Sequence, residues 1–408
     1  MVRAFALFCV AAVCQAGSLE WPQFGGPRGD FKSDSTGLAN SWPATGPKVL
    51  WSRHLGDGYS EIAVDGKTIY TMYRDLNDEI VLAADAETGK TIWEYRYLAR
   101  FRPGMGMENG SGPHATPLVT ENGVYAIGIL GNLICLNKRT GKLVWSHNLY
   151  SEFDGTFQDR GYAPSPVAYH GVVIMKIGGE GHAFVAFDQK TGAVAWRTIQ
   201  KFDNAPATPL FINVDGQDQL VAMMHDEVVA IDPSNARVLW TFPHKTDWGL
   251  NISTPVWGDD HLLFMSSAYS GGSAVIRLTR QGDKTTPTEV WSSHRMRVHI
   301  STVVRVGDYV YGSSGDFGPA PLTAVDVKTG NIAWQDRTFA KASFVYADGK
   351  FVVVDEDGNL ALADFTPQGL KVLSKVALLH SNAWTAPTLV GTRLYVRDRT
   401  SMMALDLK

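Results

Sequence analysis

The sequence predicts an all-β protein, an eight-bladed β-propeller of four-stranded antiparallel blades closed by pairing of its N- and C-terminal strands. Three observations predict it: a tryptophan-ending motif recurs along the chain, a second strand element precedes each copy, and one copy is split between the chain ends. Forty glycines and a charged fraction of 19% are typical of many short strands joined by turns. We therefore expect one propeller domain in these 408 residues.

Residues 1–16 have the features of a secretory signal peptide. Arg3 supplies a positive start, Ala4 to Val13 is an apolar run, and Ala16 is the small residue expected before the cleavage point. The run is shorter than the roughly 20 residues that a membrane-spanning helix needs, and neither early cysteine lies in a lipid-attachment motif. We expect a periplasmic or secreted protein, with no transmembrane segment in the mature chain.

Residues 17–46 form a turn-rich lead-in, and residues 47–408 contain the repeats. The main motif has the form Ala-x-Asp-x-x-Thr-Gly-Lys-x-x-Trp. Its intact, decayed and split copies end at Trp51, Trp93, Trp145, Trp196, Trp240, Trp291, Trp334 and Leu373. The separations of 39 to 52 residues between these positions match one propeller blade each.

Each copy predicts a strand, a tight Thr-Gly turn and a second strand. A small polar residue followed by proline starts another strand upstream, as at Thr116-Pro117 and Thr208-Pro209, and a further strand follows it. Each repeat therefore supplies four strands. We expect the motif tryptophans to fill the wedges between neighbouring blades and the repeated Asp and Thr to cap turns through local hydrogen bonds.

The split copy predicts how the ring closes. The chain ends in ALDLK at Ala404 to Lys408, and Lys48 to Trp51 supply the missing tryptophan strand. We expect these two strands to pair, because a closed ring removes the free sheet edges that promote aggregation.

At this motif the sequence resembles the pyrroloquinoline quinone (PQQ) repeat family of eight-bladed propellers with tryptophan-docking motifs. The lead-in Trp21 to Leu38, WPQFGGPRGDFKSDSTGL, is also similar to that of many members. The resemblance covers about the whole chain after the signal peptide. The family holds at least two functional groups: quinoprotein dehydrogenases that carry PQQ and calcium, and cofactor-free propellers such as the BamB subunit of the outer-membrane barrel assembly machinery.

The dehydrogenase resemblance implies one metal ligand in this chain, Glu180, in the Gly-rich segment GGEGHAFVAFDQKTG. Calcium would use such a carboxylate among six to eight oxygens. The adjacent cysteine pair of many such enzymes is absent, and no match is found for their Asn ligand or catalytic Asp. We expect Glu180 to be a turn residue and no cofactor to be bound, with PQQ and calcium as the alternative.

In a propeller, the loops that precede the innermost strands converge on one mouth of the channel. Aligning the copies places Tyr59, His114, Lys341 and Trp384 at equivalent positions of this ring. Arg and aromatic residues together are typical of binding hot spots. The candidate binding face consists of Arg100, Arg102, His114, Arg160, Tyr162, Trp248, Asn251, Arg297, His299, Lys341 and Trp384.

Composition and motifs argue against several classes of function. A net charge of -4 without a basic run argues against nucleic-acid binding, and no zinc, nucleophile-elbow or P-loop motif is present. We expect a monomeric, non-enzymatic propeller that binds a protein or other extracytoplasmic macromolecule, and envelope or outer-membrane protein assembly is the process that we consider for it. A PQQ- and calcium-dependent dehydrogenase and a saccharide-acting lyase or hydrolase are the alternatives.

Overall fold

The computed structural model describes residues 20–102, 104–106, 108–316, 318, 320–380 and 382–408, so the predicted signal peptide lies outside the described residues. The chain forms eight four-stranded antiparallel blades arranged as a β-propeller, which confirms the predicted fold class. No helix in these ranges is long and apolar enough to cross a membrane.

Blades are numbered in chain order, and their strands are given from the channel outward. Blade 1 contains Ala63–Asp65, Thr68–Asp75, Asp78–Asp85 and Thr91–Leu98, and blade 2 contains Leu118–Val119, Val124–Ile127, Asn132–Leu136 and Leu143–Asn148. Blade 3 contains Val167–Tyr169, Val172–Lys176, Phe184–Asp188 and Val194–Arg197, and blade 4 contains Leu210–Val214, Gln217–Met223, Glu227–Ile231 and Val238–Pro243.

The second half of the ring repeats this arrangement. Blade 5 contains Val256–Trp257, Leu262–Ser267, Gly272–Gln281 and Lys284–Ser293, and blade 6 contains Val304–Val306, Tyr309–Ser313, Leu322–Asp326 and Ile332–Asp336. Blade 7 contains Ser343–Ala347, Lys350–Val354, Asn359–Thr366 and Gly369–Ala377, and blade 8 contains Thr388–Val390, Arg393–Arg397, Ser401–Asp406 and Lys48–His54. Smaller elements are the strand Glu20–Trp21, the ribbon of Gly179–Glu180 with Lys201–Phe202, the α-helix Leu149–Phe153 and the 3₁₀ turn Asp247–Gly249.

The motif forms the turn between the third and fourth strands, as predicted. In blade 1 the Asp85 carboxylate accepts hydrogen bonds of 2.8 Å from both the backbone N–H and the hydroxyl of Thr88. Gly89 follows with a φ of +69°, a left-handed conformation that favours glycine. Asp188 and Thr191 repeat this arrangement in blade 3. The predicted capping role of the repeated Asp and Thr is therefore confirmed.

The motif tryptophans lie between neighbouring blades. Trp145 of blade 2 donates its indole N–H to the carbonyl oxygen of Gln189 in blade 3, at 3.1 Å. Its ring lies against Gly192, where a Cβ atom would come within 2.7 Å of the indole. Indoles that bond to the next blade in the same way are those of Trp51, Trp93, Trp291 and Trp334. Trp240 differs, because it donates to the side chain of Gln219 in its own blade.

The ring closes as the split motif predicts. Strand Lys48–His54 pairs antiparallel with Ser401–Asp406, with Trp51 opposite Ala404. Arg397, 1% exposed, reaches from blade 8 into blade 1 and donates to the carbonyl oxygens of Gly58, Ser60 and Met72. Closure therefore depends on a sheet that both chain ends share and on a buried guanidinium. The guanidinium donates the hydrogen bonds that three carbonyl oxygens would otherwise accept from water.

Separate apolar clusters fill the interfaces between blades, so the core is distributed around the ring. Nearer the axis, hydroxyl groups join blades 1 to 4. Thr116 Oγ1 accepts from the Glu61 N–H, Ser165 Oγ from the Thr116 N–H, and Thr208 Oγ1 from the Ser165 N–H, at 3.0 to 3.2 Å. The small polar residues before proline thus satisfy backbone donors of the preceding blade, a role that the sequence motif did not indicate.

The lead-in lies against the innermost strands and passes from blade 1 to blade 7. Trp21 pairs with Val64 of blade 1, and the Pro22 carbonyl accepts from Val119 of blade 2. Further along, Lys32 forms a parallel bridge with Tyr346 of blade 7. The lead-in therefore completes the inner edges of blades that are far apart in sequence.

Candidate binding surface on the loop face

The two faces of the ring differ in their connections. The loops between blades and the turns between second and third strands lie on one face, here called the loop face. The motif turns and the turns between first and second strands lie on the opposite face, the turn face. Because the loops between blades are the longer connections, they give the loop face most of the side chains that the repeat does not fix.

Three aromatic rings from three blades stack at the channel mouth on the loop face. Tyr59 stacks on Trp384 with ring centroids 5.3 Å apart, and on His114 with centroids 5.9 Å apart. Trp384 donates its indole N–H to Glu356 at 3.0 Å, and the Lys341 ammonium lies 3.7 Å from the same carboxylate. The structure therefore brings together His114, Lys341 and Trp384, which the sequence alignment placed at equivalent ring positions.

His299 extends this cluster toward blade 5. Its Nε2 atom lies 2.6 Å from the Tyr269 hydroxyl, and the two rings meet edge to face. Burial lowers the pKa of His299 to about 4, and the positive charge of Lys341 acts in the same direction. His299 is therefore neutral at physiological pH and takes part in hydrogen bonding rather than in charge attraction.

Burial also lowers the pKa of His114, whose Nε2 atom lies 3.0 Å from the Arg160 carbonyl oxygen. The Arg160 guanidinium itself pairs with Glu108 at 2.6 Å. The positive charge on this part of the surface therefore comes from arginine and lysine and not from histidine.

The remaining predicted residues on the surface differ in how firmly they are held. Arg100 is exposed, whereas the Arg102 guanidinium lies over the rings of Tyr150 and Phe157, at 5.5 and 5.3 Å from their centroids. Arg297 lies 3.5 Å from Asp316 and keeps 43% of its side chain exposed. These cations are available to a partner on the loop face.

Trp248 is the most exposed of the predicted residues, at 70%, and its backbone has a φ of +65°. Its ring contacts Tyr269 edge to face, with centroids 5.3 Å apart. A positive φ is unusual for a residue other than glycine and carries a strain of about 1–3 kcal/mol. The fold therefore holds a large apolar side chain in solvent in a strained backbone conformation.

Two predicted residues require correction because their side chains are buried. Tyr162 is 0% exposed and donates its hydroxyl to the Lys176 carbonyl oxygen at 2.7 Å. Asn251 is also 0% exposed, and its amide donates to the Met224 carbonyl oxygen at 2.6 Å. Both belong to loops that fold down between blades, so neither side chain is available on the loop face.

The surroundings of Glu180 do not fit a calcium ion. Glu180 is exposed in a two-residue strand opposite Lys201. No three His, Cys, Asp or Glu side chains within the described ranges lie together as metal ligands, whereas calcium takes six to eight oxygens. Glu180 therefore belongs to no cluster of three such side chains in the described residues.

One important carboxylate was not singled out from the sequence. Glu61 is 1% exposed in the channel and accepts from the Trp21 indole and from the Gly25 N–H, both at 3.0 Å. Burial raises its pKa to about 8. A signal was present, because Glu61 stands where other repeats carry Thr or Ser before proline.

Comparison with known proteins agrees with this architecture. The family model described as outer membrane protein assembly factor BamB matches residues 77–336 and 228–369. BamB of Yersinia pestis is 24% identical over 300 residues, which cover 70% of this chain and 72% of that protein. The solved structure of BamB from Moraxella catarrhalis superposes with a TM-score of 0.63 at 20% identity, covering 88% of this chain and 100% of that one.

A second group of relatives matches this chain over only part of their own length. The dehydrogenase subunit of a quinone alcohol dehydrogenase from Gluconacetobacter polyoxogenes is 29% identical over 204 residues, which cover 46% of this chain. The match spans 26% of the dehydrogenase, about a quarter of its length. By contrast, the family model covers most of the repeats described above. The chain therefore belongs to the PQQ-repeat family of the outer membrane protein assembly factor BamB.

Proposed function

We propose that this protein is an extracytoplasmic scaffold in outer-membrane protein assembly and that it binds a protein partner through its loop face. The observation that carries the proposal is the exposure of large apolar side chains on this face. Leu76 is 87% exposed, Ile199 is 81% exposed and Trp248 is 70% exposed, and all three lie in loop-face connections. The three most exposed large apolar side chains of the described residues therefore lie on the same face of the ring, and apolar side chains exposed to solvent are the groups that a protein partner can bury.

Trp248 is suited to be the central contact. Tryptophan is enriched among the few residues that dominate binding energy, because it buries a large area at a small cost in conformational entropy. The edge-to-face contact with Tyr269 fixes one side of the ring and leaves the rest open to solvent. Burial of this ring by a partner would supply a large share of the interface energy.

The cations supply the polar rim that such an interface needs. Arg100 and Arg297 keep exposed guanidinium groups on the same face. The Arg102 guanidinium is positioned over two aromatic rings and so loses little entropy when it binds. Because arginine forms planar pairs with carboxylates, the geometry favours a partner with an apolar centre and acidic edges.

Contacts between neighbouring loops also support the proposed scaffold role. The stacked rings of Tyr59, His114 and Trp384 connect loops of blades 8, 1 and 2, and the Lys341–Glu356 pair extends the contact to blade 7. We expect loops that contact one another in this way to move little on binding, so that the surface would hold a partner in a defined orientation. The family to which the chain belongs supports outer-membrane protein assembly as the process.

The test is capture of partners from a detergent extract of the cell envelope, with identification by mass spectrometry. We expect the wild-type protein to recover outer-membrane assembly proteins and the double variant Ile199→Ser with Trp248→Ala to recover at least tenfold less. The matched control is Ile92→Ser, which removes a 52% exposed apolar residue from the outermost strand of blade 1. Equal recovery by the double variant and the control would contradict the proposal.

The dehydrogenase alternative is tested on the same preparation. The protein is mixed with PQQ and calcium, and dye reduction by an alcohol substrate is followed with and without a chelator. We expect no chelator-sensitive reduction, because Glu180 pairs with Lys201 across two short strands and belongs to no cluster of three metal-ligating side chains in the described residues. Calcium-dependent turnover would overturn the scaffold as the main function.

A further inference from the structure

The turn face contains a groove beside the lead-in. The groove has a volume of about 1130 Å³, slightly above the ~300–1,000 Å³ of small-molecule pockets. One wall is the lead-in, with Phe24 and Arg28, and the other is formed by the inner strands of blades 3 to 6, with Phe211, Asn213 and Trp257. It is therefore a space between one extended segment and several strand edges.

Those strand edges are open. In a propeller the sheets face their neighbouring blades, and the edge of each innermost strand faces the channel. The lead-in covers part of this edge in blades 1, 2 and 7, through Trp21, Pro22 and Lys32. In the described part of the chain, no strand pairs with the inner edges of blades 3, 4, 5 and 6.

Blade 4 presents the longest of these open edges, Leu210–Val214. Its hairpin turn consists of Asp215 and Gly216, with φ values of +48° and +81°, so Val214 and Gln217 form the hydrogen-bonded pair that flanks a two-residue turn. Hydrogen-bonded pairs alternate along an antiparallel ladder. The backbone groups of Phe211 and Asn213 therefore point away from the hairpin and into the groove.

We propose that this groove binds an extended, amphipathic β-strand of a partner polypeptide, which adds to the inner edge of blade 4. The lead-in provides the precedent, because it binds the same kind of edge in blades 1 and 7 by short backbone pairings. Strand addition uses the free backbone donors and acceptors of the edge, and side-chain pockets add selectivity.

The charges of the groove favour an uncharged strand. Arg305 pairs with Asp260 at 2.7 Å, Lys328 pairs with Asp308 at 2.9 Å, and His261 lies 3.5 Å from Asp215. The walls thus pair Arg305 and Lys328 with carboxylates of their own and leave aromatic and aliphatic surface from Phe24, Phe211 and Trp257. We expect binding to depend weakly on salt, unlike binding driven by a charged partner.

This second site goes beyond the proposed loop-face function, since it lies at the other mouth of the channel. The probe is a short fluorescent peptide of alternating threonine and valine with a lysine at each end, added to the full-length protein. We expect saturable binding in fluorescence anisotropy. The same peptide with alternate backbone nitrogens methylated should bind at least tenfold more weakly, because it lacks donors on one edge.

The protein variants separate backbone from side-chain recognition. Phe211→Pro removes the groove-facing N–H without removing a hydrogen bond of the blade, whereas Phe211→Ala removes the ring and keeps the N–H. We expect Phe211→Pro to bind the peptide at least tenfold more weakly than Phe211→Ala. Absence of binding to the wild-type protein, or equal binding of the methylated and unmethylated peptides to it, would overturn the proposal even if Phe211→Pro did not fold. Capture of partners through the loop face is measured in a separate experiment. Failure of peptide binding in the groove and failure of capture through the loop face can therefore be distinguished.

Discussion

Replacing Glu61 with glutamine should remove a pH dependence of stability that the wild-type protein carries. The Glu61 carboxyl group is 1% exposed, and burial raises its pKa from 4.5 to about 8 against the effect of hydrogen bonds from Gly25 and Trp21. Between these pH values the folded protein keeps a proton that the unfolded chain has released. Stability from this group is therefore complete below about pH 4.5 and is lost as the pH rises toward 8.

The size of the effect follows from the shift. At about 1.4 kcal/mol for each pH unit, the free energy of unfolding falls by about 5 kcal/mol across this range. For 408 residues with an unfolding entropy of about 2.1 cal/mol/K per residue, this corresponds to a decrease of about 6 °C in Tm. The decrease should appear in the wild-type protein and not in Glu61→Gln.

The assay is thermal unfolding of both proteins between pH 4.5 and 8.5, reported as the difference in Tm at each pH. Taking the difference in Tm cancels the contribution of groups that titrate alike in both proteins, such as His299. Glutamine keeps one acceptor for the lead-in, so the variant has a constant offset with no slope. A difference in Tm that stays constant over this range would refute the assignment of a proton to Glu61.

Hydrogen exchange gives a local readout of the same event. Glu61 accepts from the Gly25 N–H at 3.0 Å, so exchange at Gly25 reports whether the lead-in is attached. The exchange rate of any amide hydrogen increases with pH because the reaction is base-catalysed. In the wild-type protein we expect the exchange rate at Gly25 to increase by more than this intrinsic amount. In Glu61→Gln the exchange should follow the intrinsic increase alone.

Two substitutions and one titration test the ring and the channel mouth. Arg397→Met should lower the free energy of unfolding by about 3 kcal/mol or more in urea, because three carbonyl oxygens in blade 1 and the loop before it lose a charged donor. Gly192→Ala should cost about 1–3 kcal/mol more than Gly171→Ala in the same assay, because both have positive φ but only Gly192 lies against the Trp145 ring. The ring protons of His299 should keep constant NMR shifts from pH 5 to 8, since its pKa is about 4, and a titration near pH 6.5 would contradict its burial.

The repeat was predictable because its parts are local. Asp85, Thr88 and Gly89 form their turn from residues four positions apart, so the sequence pattern is sufficient to indicate it. The tryptophan contacts were predictable for another reason, since a large apolar residue at a fixed position of every blade must be buried against the next blade. Closure was predictable because one copy of the motif is incomplete at each chain end.

The loop residues were less predictable because burial in a loop depends on distant parts of the chain. Tyr162 and Trp248 are both aromatic residues in loops between blades, yet one is 0% exposed and the other is 70% exposed. The difference arises because the Tyr162 hydroxyl finds the Lys176 carbonyl oxygen beneath it, whereas Trp248 rests its edge on Tyr269. Such contacts leave no pattern in the local sequence.

Buried charges were missed for a related reason. Lys176 is 1% exposed, and its ammonium donates to the carbonyl oxygens of Ala207 and Met223 in blade 4. In the sequence it ends a hydrophobic strand and is indistinguishable from a lysine that reaches solvent. Arg397 occupies the same place in blade 8. Both residues join blades by donating hydrogen bonds to backbone carbonyl oxygens. Every residue has such an oxygen, so the sequence does not indicate which ones will accept.

The lead-in makes the two halves of the ring different from each other, although the eight blades are similar. The repeat alone would give every blade an equivalent inner edge, and a ligand would have no preferred place to add. Trp21 and Lys32 cover the edges of blades 1 and 7, and a Cβ atom on Gly29 would lie 3.2 Å from Leu210 of blade 4, so the segment also crosses the mouth. Blade 4 therefore keeps an open edge beside a wall of its own chain. A partner strand would be bound between two surfaces there, which the bare repeat could not provide.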